Sequence, residues 1–315
     1  MKTSRGPIAG ALDIGSNTLK MLVVEKTADG LVALAETSNE TRISAGISGQ
    51  HPELTEQSMS RAVTVIGELY REMHSHNPDH VRVVATSAVR DARNQADFRE
   101  RVYQEIGQTM DVISGVQEAQ LIGRGVLTDP VLRGKREIMI FDMGGGSVEC
   151  IYVKDGSIKL AESLLLGGVS LLEHHVADPS RPLQAIERAA VIESVKSQVS
   201  RLDLKLEDAS TAWVVGAGGT WITSRAIIAH RQGKTLAESS PYLNIKELQS
   251  VFEETASYTL NRRLQIPKLP PNRADVFPVT LLTLIELGKW VGVSQFYHCF
   301  HSLRYGVVDE LLESY

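Results

Sequence analysis

The chain has 315 residues, of which 43% are apolar, so it can build one large domain or two ordinary ones. Its formal net charge of −5 argues against a broad basic surface for nucleic acid. No apolar run is long enough to span a bilayer, and the N-terminal segment lacks the apolar core and cleavage site of a signal peptide. The only cysteines, Cys150 and Cys299, stand in no metal-binding spacing and form no disulfide framework, so a reducing, cytoplasmic location is expected.

The first half of the chain alternates predicted strands with predicted helices. Three strands are expected near residues 9–14, 19–24 and 31–36, because apolar and β-branched residues cluster there between turn residues. Thr55 is a plausible N-cap for a helix whose apolar residues share one face. The next elements are a strand in "HVRVVATSAVR", a helix in "NQADFRERVYQEIG", a strand in "MDVIS" and a helix that starts near Gln117.

The second half continues in the same way. "REIMIFDM" predicts a strand, and further strands are expected in "SVECIYVKDGSIKLAESLLLG". "TAWVVGAGGTWITSRAIIAH" predicts a strand that runs through glycines into a helix. Helices are expected in "PLQAIERAAVIESVKSQVSRL", in "RADVFPVTLLTLIELGKW" with Pro278 in the first turn, and in "HSLRYGVVDELLESY". The alternation predicts an α/β protein.

Two segments have the same form. "ALDIGSNTLKMLVV" and "IFDMGGGSVECIYV" each contain an apolar strand, Asp-x-Gly, small polar residues and a second apolar strand. Asp13 and Asp142 correspond and lie 129 residues apart. This weak internal repeat predicts two halves of similar build.

Three glycine-rich loops are candidate phosphate sites. Glycine lets successive backbone N–H groups point at an anion, and the third loop lies where a helix dipole adds to this effect. None of the loops has the ending of a nucleotide P-loop or a good dinucleotide fingerprint. Each loop alone is more typical of an ordinary turn, whereas three together, two of them repeats with a matching aspartate, favour a phosphate site. The loops are Gly15-Ser16-Asn17-Thr18, Gly144-Gly145-Gly146-Ser147 and Gly216-Ala217-Gly218-Gly219-Thr220.

Two acids flank the second loop. Asp142 ends a strand and Glu149 lies on the returning strand, so both could face one ligand across the turn. Bound phosphates usually need Mg²⁺, which takes one or two carboxylates together with water. We therefore predict a site for Mg²⁺, or another divalent cation such as Mn²⁺, at Asp142 and Glu149, with Asp13 acting through water. The alternative is that Asp142 is a turn former and Glu149 a surface residue.

Six segments, in this order, carry a family resemblance: "DIGSNTLKMLV", "ATSAVRDARN", "ISGVQEAQLIGRGV", "FDMGGGSVE", "VGAGGT" and "RADVFP". They resemble the exopolyphosphatase / guanosine pentaphosphate phosphohydrolase (Ppx/GppA) family, a branch of the actin-like phosphotransferases, from residue 11 to about residue 310. The resemblance implies two ribonuclease-H-like domains with an interdomain cleft. It places the boundaries at 1–125 with about 300–315, and at 126–299, which is the short, two-domain form.

The resemblance also implies roles for individual residues. Glu118 matches the acid that the family uses as base for the attacking water, and Gln117 stands where the family has another acid. Arg90 and Arg93 match arginines that hold substrate phosphates. Lys20 replaces an arginine found in some relatives at the nucleotide-binding mouth. With Gly216, Gly218, Gly219 and Thr220 it is a candidate for binding nucleotide or chain.

The implied activity is that of a phosphoric anhydride hydrolase. We predict a Mg²⁺-dependent exopolyphosphatase that releases terminal orthophosphate from inorganic polyphosphate by water attack. The first alternative is hydrolysis of guanosine pentaphosphate (pppGpp) to ppGpp. The others are a kinase of the same superfamily and a non-catalytic sensor of polyphosphate or alarmone. Nucleic acid and membrane are not expected as partners, and a homodimer is left open.

Overall fold

The computed structural model describes residues 5–44, 52–204, 206 and 212–313. The last predicted helix therefore has its final two residues, 314 and 315, outside the described part. The chain divides into two compact units, one formed by residues 1–133 with 301–315 and the other by residues 134–300. No helix in the described part is both long and apolar enough to cross a membrane.

The helices and strands alternate along most of the chain. The elements up to residue 127 are β1 (Ile8–Ile14), β2 (Thr18–Thr27), β3 (Gly30–Glu40), α1 (Glu56–Ser75), β4 (His80–Ala85), α2 (Ser87–Asp91), α3 (Gln95–Ile106), β5 (Met110–Val112) and α4 (Gly115–Leu127). Those that follow are β6 (Glu137–Met143), β7 (Val148–Lys154), β8 (Ser157–Leu164), α5 (Gly168–His175), α6 (Ala185–Val199), β9 (Trp213–Ala217), α7 (Gly219–Arg231), β10 (Tyr242–Asn244), α8 (Ile245–Ser257), α9 (Leu260–Arg263), α10 (Phe277–Val291), β11 (Gln295–His298) and α11 (Leu303–Glu313).

The first unit contains a five-stranded sheet in the order β3-β2-β1-β4-β5. β1, β2 and β3 are antiparallel neighbours, whereas β4 and β5 run parallel to β1. β1 lies in the centre and all seven of its residues are buried. Its carboxyl end, where Asp13 stands, is therefore held by strands on both sides.

The second unit repeats this arrangement and extends it. Its six-stranded sheet has the order β8-β7-β6-β9-β11-β10, with β6, β7 and β8 antiparallel and β9 and β11 parallel to β6. β6 takes the place of β1, so Asp142 stands at the carboxyl end of a central strand as Asp13 does. α10 packs against α5, α6, α7 and α8 and is apolar on most sides, as a buried helix must be.

The predicted α/β class is confirmed, and both mixed sheets have the strand order of the ribonuclease-H-like form. Most predicted elements are present, and Thr55 caps α1 by accepting a hydrogen bond from the Ser58 amide. Two predictions need correction. α4 begins at Gly115 rather than near Gln117, because Ser114 is its N-cap. The first three strands are longer than predicted, since β2 and β3 pair along a ladder from Thr18 to Glu40.

α11 completes the first unit by crossing α4 at very short distance. A Cβ added to Gly306 would lie 1.8 Å from the Leu121 carbonyl oxygen, and one added to Gly125 would lie 2.1 Å from the Ser302 carbonyl oxygen. Only glycine permits backbones to approach this closely. Arg304 fixes the start of α11 by donating to the Met21 carbonyl 2.7 Å away. Gly306, the last residue of the segment "SLRYG", is thus required by the packing of α11 on α4.

Candidate active site

The two hairpins that carry Asp13 and Asp142 have the same geometry. The Gly15 amide donates to the Thr18 carbonyl at 3.2 Å, and the Gly144 amide donates to the Ser147 carbonyl at 2.9 Å. In strand register Asp13 faces Lys20, and Asp142 faces Glu149. Each residue of the first hairpin has its counterpart 129 positions later, so Lys20 occupies the place that Glu149 takes in the second unit.

Asp142 and Glu149 form a pair of acids on one face of the second sheet. Residues directly opposite on antiparallel strands have Cβ atoms about 5 Å apart, and like charges there repel each other. Glu149 is only 2% exposed, and its Oε1 accepts hydrogen bonds from the hydroxyls of Ser147 at 2.6 Å and Ser163 at 2.8 Å. These hydroxyls hold one carboxylate in place but do not neutralise the pair.

The acid pair suits a divalent cation. Mg²⁺ is typically held by one or two carboxylates, with water and substrate phosphate completing its octahedral shell. No group of three or more His, Cys, Asp or Glu side chains arranged for a metal ion occurs in the part of the chain that the structure describes. The donor set therefore fits an ion shared with a phosphate substrate better than a permanently caged structural metal.

The loop at Gly144–Ser147 directs its carbonyl oxygens towards α5. The Gly144 carbonyl accepts from the Gly168 amide at 3.2 Å, and the Gly145 carbonyl accepts from the Val169 amide at 2.9 Å. Among the described residues no hydrogen bond is donated by the amides of Gly145 or Gly146. Amides left in this way are the donors that an anion nest requires.

Gly167 is a residue that sequence reasoning missed in this loop. A Cβ on Gly167 would lie 2.1 Å from the Gly146 carbonyl carbon and 2.3 Å from the Ser147 amide nitrogen. The loop packs directly on the backbone before α5, so a side chain at this position would displace it. "LLLGG" gave a weak signal, but nothing local indicates which loop the glycine meets.

The third loop joins β9 to α7 and lies beside the acid pair. Gly218 adopts φ +96°, a backbone conformation that favours glycine. A Cβ at Gly218 would lie 2.6 Å from Oδ1 of Asp142, while one at Gly219 would lie 1.9 Å from Nη1 of Arg273. The first turn of α7, an aspartate and a guanidinium therefore meet at one place. Arg273 of "RADVFP" is the second residue that sequence reasoning missed.

In the first unit, Arg90 links Glu118, the predicted base on α4, to the backbone just before that helix. Nη1 of Arg90 donates to the Ile113 carbonyl and to Oε2 of Glu118, both at 3.0 Å. Glu118 is 7% exposed, so its carboxylate is held in one orientation. Arg90 thus positions Glu118, a role beyond the predicted contact with phosphate. No hydrogen bond from its Nη2 occurs within the described chain.

Gln117, next to the predicted base, belongs to a capping box. The Gln117 amide donates to Oγ of Ser114 at 3.2 Å, and Oε1 of Gln117 accepts from the Ser114 amide at 2.9 Å. Such a box satisfies two N–H groups of the first helical turn, and it accepts Gln as well as Glu. Gln117 therefore makes the cap without placing a second negative charge beside Glu118.

The remaining candidates are less constrained. Ser16 and Ser87 share a hydrogen bond of 2.8 Å that ties the first hairpin turn to α2. Lys20 is half-buried opposite Asp13. Arg93 is exposed in the connection between α2 and α3, and its backbone amide donates to the Pro52 carbonyl at 2.9 Å. No ion pair of Arg93 with a carboxylate is present among the described residues.

The buried histidine and cysteine near the central strands are structural. Burial, together with the nearby charge of Arg225, lowers the pKa of His298 from 6.5 to about 3, so its imidazole is neutral. Nη1 of Arg225 lies 3.3 Å from Nδ1 of His298. Burial raises the pKa of the Cys150 thiol, which removes it as a nucleophile at neutral pH.

Comparison with known proteins decides the family. A model of the Ppx/GppA phosphatase family matches residues 22–315. The chain belongs to the Ppx/GppA phosphatase family. The predicted resemblance is thereby confirmed, and the match extends over nearly the whole chain.

Two similar curated relatives have the same name. The chain is 29% identical over 311 residues to a guanosine-5'-triphosphate,3'-diphosphate pyrophosphatase of Aeromonas hydrophila, covering 97% of this chain and 60% of the relative. It is 29% identical over 314 residues to the protein of the same name from Vibrio atlanticus, covering 100% and 61%. The chain thus spans about 60% of the length of the curated relatives it matches.

Solved structures share the fold. An exopolyphosphatase from Cytophaga hutchinsonii superposes with a TM-score of 0.86 at 24% identity, covering 98% of each chain. The Ppx/GppA family member from Aquifex aeolicus gives a TM-score of 0.81 at 22% identity, again covering 98% of each chain. At these identities the likeness concerns the fold alone.

Proposed function

We propose that the protein is a Mg²⁺-dependent exopolyphosphatase that removes terminal orthophosphate from inorganic polyphosphate. The observation that carries the proposal is the pair of facing acids, Asp142 and Glu149, on a hairpin in which the Gly145 and Gly146 amides donate no hydrogen bond among the described residues. A carboxylate pair beside free amides offers a cation site and an anion site next to each other. A polyphosphate end with its metal ion needs both.

Glu118 is assigned as the general base. A base must be held within hydrogen-bond reach of the water that it activates, and the Arg90 contact fixes its carboxylate for that purpose. The proton of the attacking water passes to Glu118 as the oxygen bonds to the terminal phosphorus. The bond from that phosphorus to the bridging oxygen breaks, leaving orthophosphate and a chain one unit shorter.

The cation and the loops supply charge neutralisation. Mg²⁺ or Mn²⁺ held by Asp142 and Glu149, with Asp13 acting through water, would offset the negative charge on the transferred phosphoryl group. The loops Gly15–Thr18 and Gly144–Ser147 would hold phosphate oxygens through their amides. Arg90 and Arg93 would bind neighbouring phosphates, since guanidinium groups match phosphate geometry.

Hydrolysis of pppGpp is the second candidate. Its support is the activity for which the two curated relatives are named, together with Arg273 beside the loop that contains Gly218 and Gly219. A guanidinium at a helix start suits a nucleotide phosphate as well as a chain phosphate. Lys20 favours polyphosphate, because an ammonium group is a point charge and cannot bind a phosphate through two parallel hydrogen bonds.

The deciding experiment is phosphate release from the purified full chain with Mg²⁺. Long-chain polyphosphate, pppGpp and ATP are assayed side by side, with and without EDTA. Release from polyphosphate at least about tenfold faster than from pppGpp, abolished by EDTA, is the expected result. Faster release from pppGpp would replace the proposal with its second candidate, and binding without release would support a sensor.

Glu118→Gln provides the first residue-level prediction. Removing the base while keeping the shape and the Arg90 contact should lower kcat by about 100-fold or more and leave substrate binding nearly unchanged. Glu162→Gln, a substitution of an exposed acid on β8, is the matched control and should keep full activity. Full activity of Glu118→Gln would show that the base lies elsewhere.

The setting of this activity is part of the proposal. We place the protein in the cytoplasm, because two cysteines without a disulfide suit a reducing compartment. A homodimer is proposed as the assembly, and sedimentation of the full chain at two concentrations tests it.

The kinase alternative differs from the proposed hydrolase in its acceptor, because ATP turnover by a kinase would require an added alcohol.

A further inference from the structure

A cavity lies in the second unit at the C-terminal end of α7. Its volume is about 230 Å³, and α7, α8 and the segment from α9 to Pro267 line it. The glycine loop stands at the other end of α7, about 18 Å away along the thirteen residues of the helix. The cavity is therefore separate from the phosphate loops described above.

The rim of this cavity carries an uncompensated positive charge. Arg231 pairs with Glu254, whose Oε2 lies 2.5 Å from Nη2 of Arg231. Arg262 has no carboxylate partner among the described residues. Its guanidinium lies 3.7 Å from the centre of the Tyr258 ring and donates to the Tyr258 hydroxyl at 3.0 Å. The ring holds the guanidinium in place, so little conformational freedom remains to be lost when an anion binds.

The floor of the cavity is apolar and closely held. Pro267 is the exposed apolar residue of this lining, Ile266 shows only an edge at 9% exposure, and Ile227 closes the base from beneath at 1% exposure. Lys268, which follows Pro267, adopts φ +71°, a conformation that a residue with a side chain rarely takes. Backbone strain of this kind persists where surrounding structure enforces it, and it concentrates at binding sites.

We propose that this cavity binds a small organic anion that combines one aromatic or compact apolar body with a single carboxylate. The apolar body would lie against Pro267 and the exposed edge of Ile266, and the carboxylate would pair with Arg262. A cavity of about 150 Å³ accommodates benzene, so 230 Å³ leaves room for one ring and one charged group. Polyphosphate, which has no apolar part, cannot use such a floor.

The test is ligand-observed NMR on the full chain in a buffer without phosphate or other multivalent anions, so that no buffer anion competes for Arg262. Phenylacetate is the probe, with acetate as the charge without the ring and benzyl alcohol as the ring without the charge. We expect phenylacetate to bind at least about fivefold more tightly than either. Arg262→Gln should weaken phenylacetate about tenfold, because it removes a charge-assisted hydrogen bond.

Two further variants make the result specific. Gln265→Trp places a bulky ring at the exposed rim and should abolish binding of phenylacetate, a larger effect than that of Arg262→Gln. Arg188→Gln is the matched control, because Arg188 likewise lies over a ring, that of Phe252, and pairs with Glu253. The affinity of Arg188→Gln for phenylacetate should equal that of the unaltered chain. Equal binding of acetate, equal binding of benzyl alcohol, no binding at all, or full affinity in Arg262→Gln would each overturn the proposal.

Discussion

Gln117 stands beside the predicted base yet serves the backbone. Its side chain accepts the Ser114 amide, while its own amide donates to the Ser114 hydroxyl. A glutamate could make the same cap but would place a second negative charge next to Glu118. Gln117 thus supplies the cap without the charge, and only the structure shows that its side chain is used in this way.

Breaking this cap should loosen the start of α4. Gln117→Leu removes one hydrogen bond of the capping box and should cost about 1 kcal/mol, whereas Gln117→Glu should keep the cap. Hydrogen exchange of the α4 amides measures the effect. Gln104→Leu, on the exposed face of α3, is the control and should leave α4 unchanged. Unaltered exchange in Gln117→Leu would mean that the cap does not stabilise α4.

His298 should make the second unit sensitive to acid. Its folded pKa of about 3 lies below the unfolded value of 6.5, so the unfolded chain binds the extra proton first. Stability from this residue is complete above pH 6.5 and is lost as the pH falls towards 3. Between pH 7 and pH 5 the loss should be about 2 kcal/mol.

The acid-induced loss of stability of the second unit can be measured separately by tryptophan fluorescence. All three tryptophans, Trp213, Trp221 and Trp290, lie in residues 134–300, so their fluorescence in urea follows the unit that contains His298. His298→Asn, which can still accept from Arg225, should lose about 2 kcal/mol less than the unaltered chain between these pH values. Equal losses would show that His298 does not set the acid response.

At the scale of elements, the crossing of α4 and α11 should be the least tolerant contact of the first unit. Gly306→Ala places a methyl group 1.8 Å from the Leu121 carbonyl, and the helices must separate to admit it. We expect a loss of about 3 kcal/mol or more, measured by thermal unfolding. Glu310→Ala, at an exposed position of the same helix, should cost less than about 1 kcal/mol. A similar cost for both would contradict the close crossing.

Elements with strong local signals were predictable from the sequence. Thr55 and its apolar face predicted α1, and Gly107 ended α3 in the left-handed conformation expected of a terminal glycine. α8 was missed although Asn244 caps it and its apolar residues share a face, so a signal was present. β11 has four residues and exists because β9 and β10 pair with it, which no local pattern reveals.

At the scale of the whole molecule, the two units should respond differently to loss of their strand-end aspartates. Asp142→Asn removes one of two carboxylates that face each other across β6 and β7, and so removes one proposed cation ligand. Asp13→Asn removes a carboxylate that faces Lys20, where the proposed contact with the cation runs through water. Asp142→Asn should raise the Mg²⁺ concentration for half-maximal activity about tenfold or more, and Asp13→Asn should raise it by a smaller factor. Electron paramagnetic resonance of added Mn²⁺ gives the affinity directly. Equal effects would place the cation elsewhere.

Some residues of the candidate site belong to local sequence motifs, and others reach the site only through tertiary packing. The loops and acids at Asp13 and Asp142 were predictable, because each motif lies within about ten residues of sequence. Gly167 and Arg273 were not, because each meets its loop through the packing of separate elements. Ser163 was not, because its contact with Glu149 depends on the pairing register of β7 and β8. Their roles depend on tertiary distances that spacing along the chain does not encode.

The shared geometry of the two hairpins has a consequence for how such molecules diversify. A module used twice in one chain offers two equivalent positions, here residues 20 and 149, that face an aspartate at the same strand position. A change from acid to base at either position reverses the charge that faces the aspartate without altering the strand pairing. A hairpin present twice in one chain can therefore take opposite charges in its two copies while each copy keeps its fold.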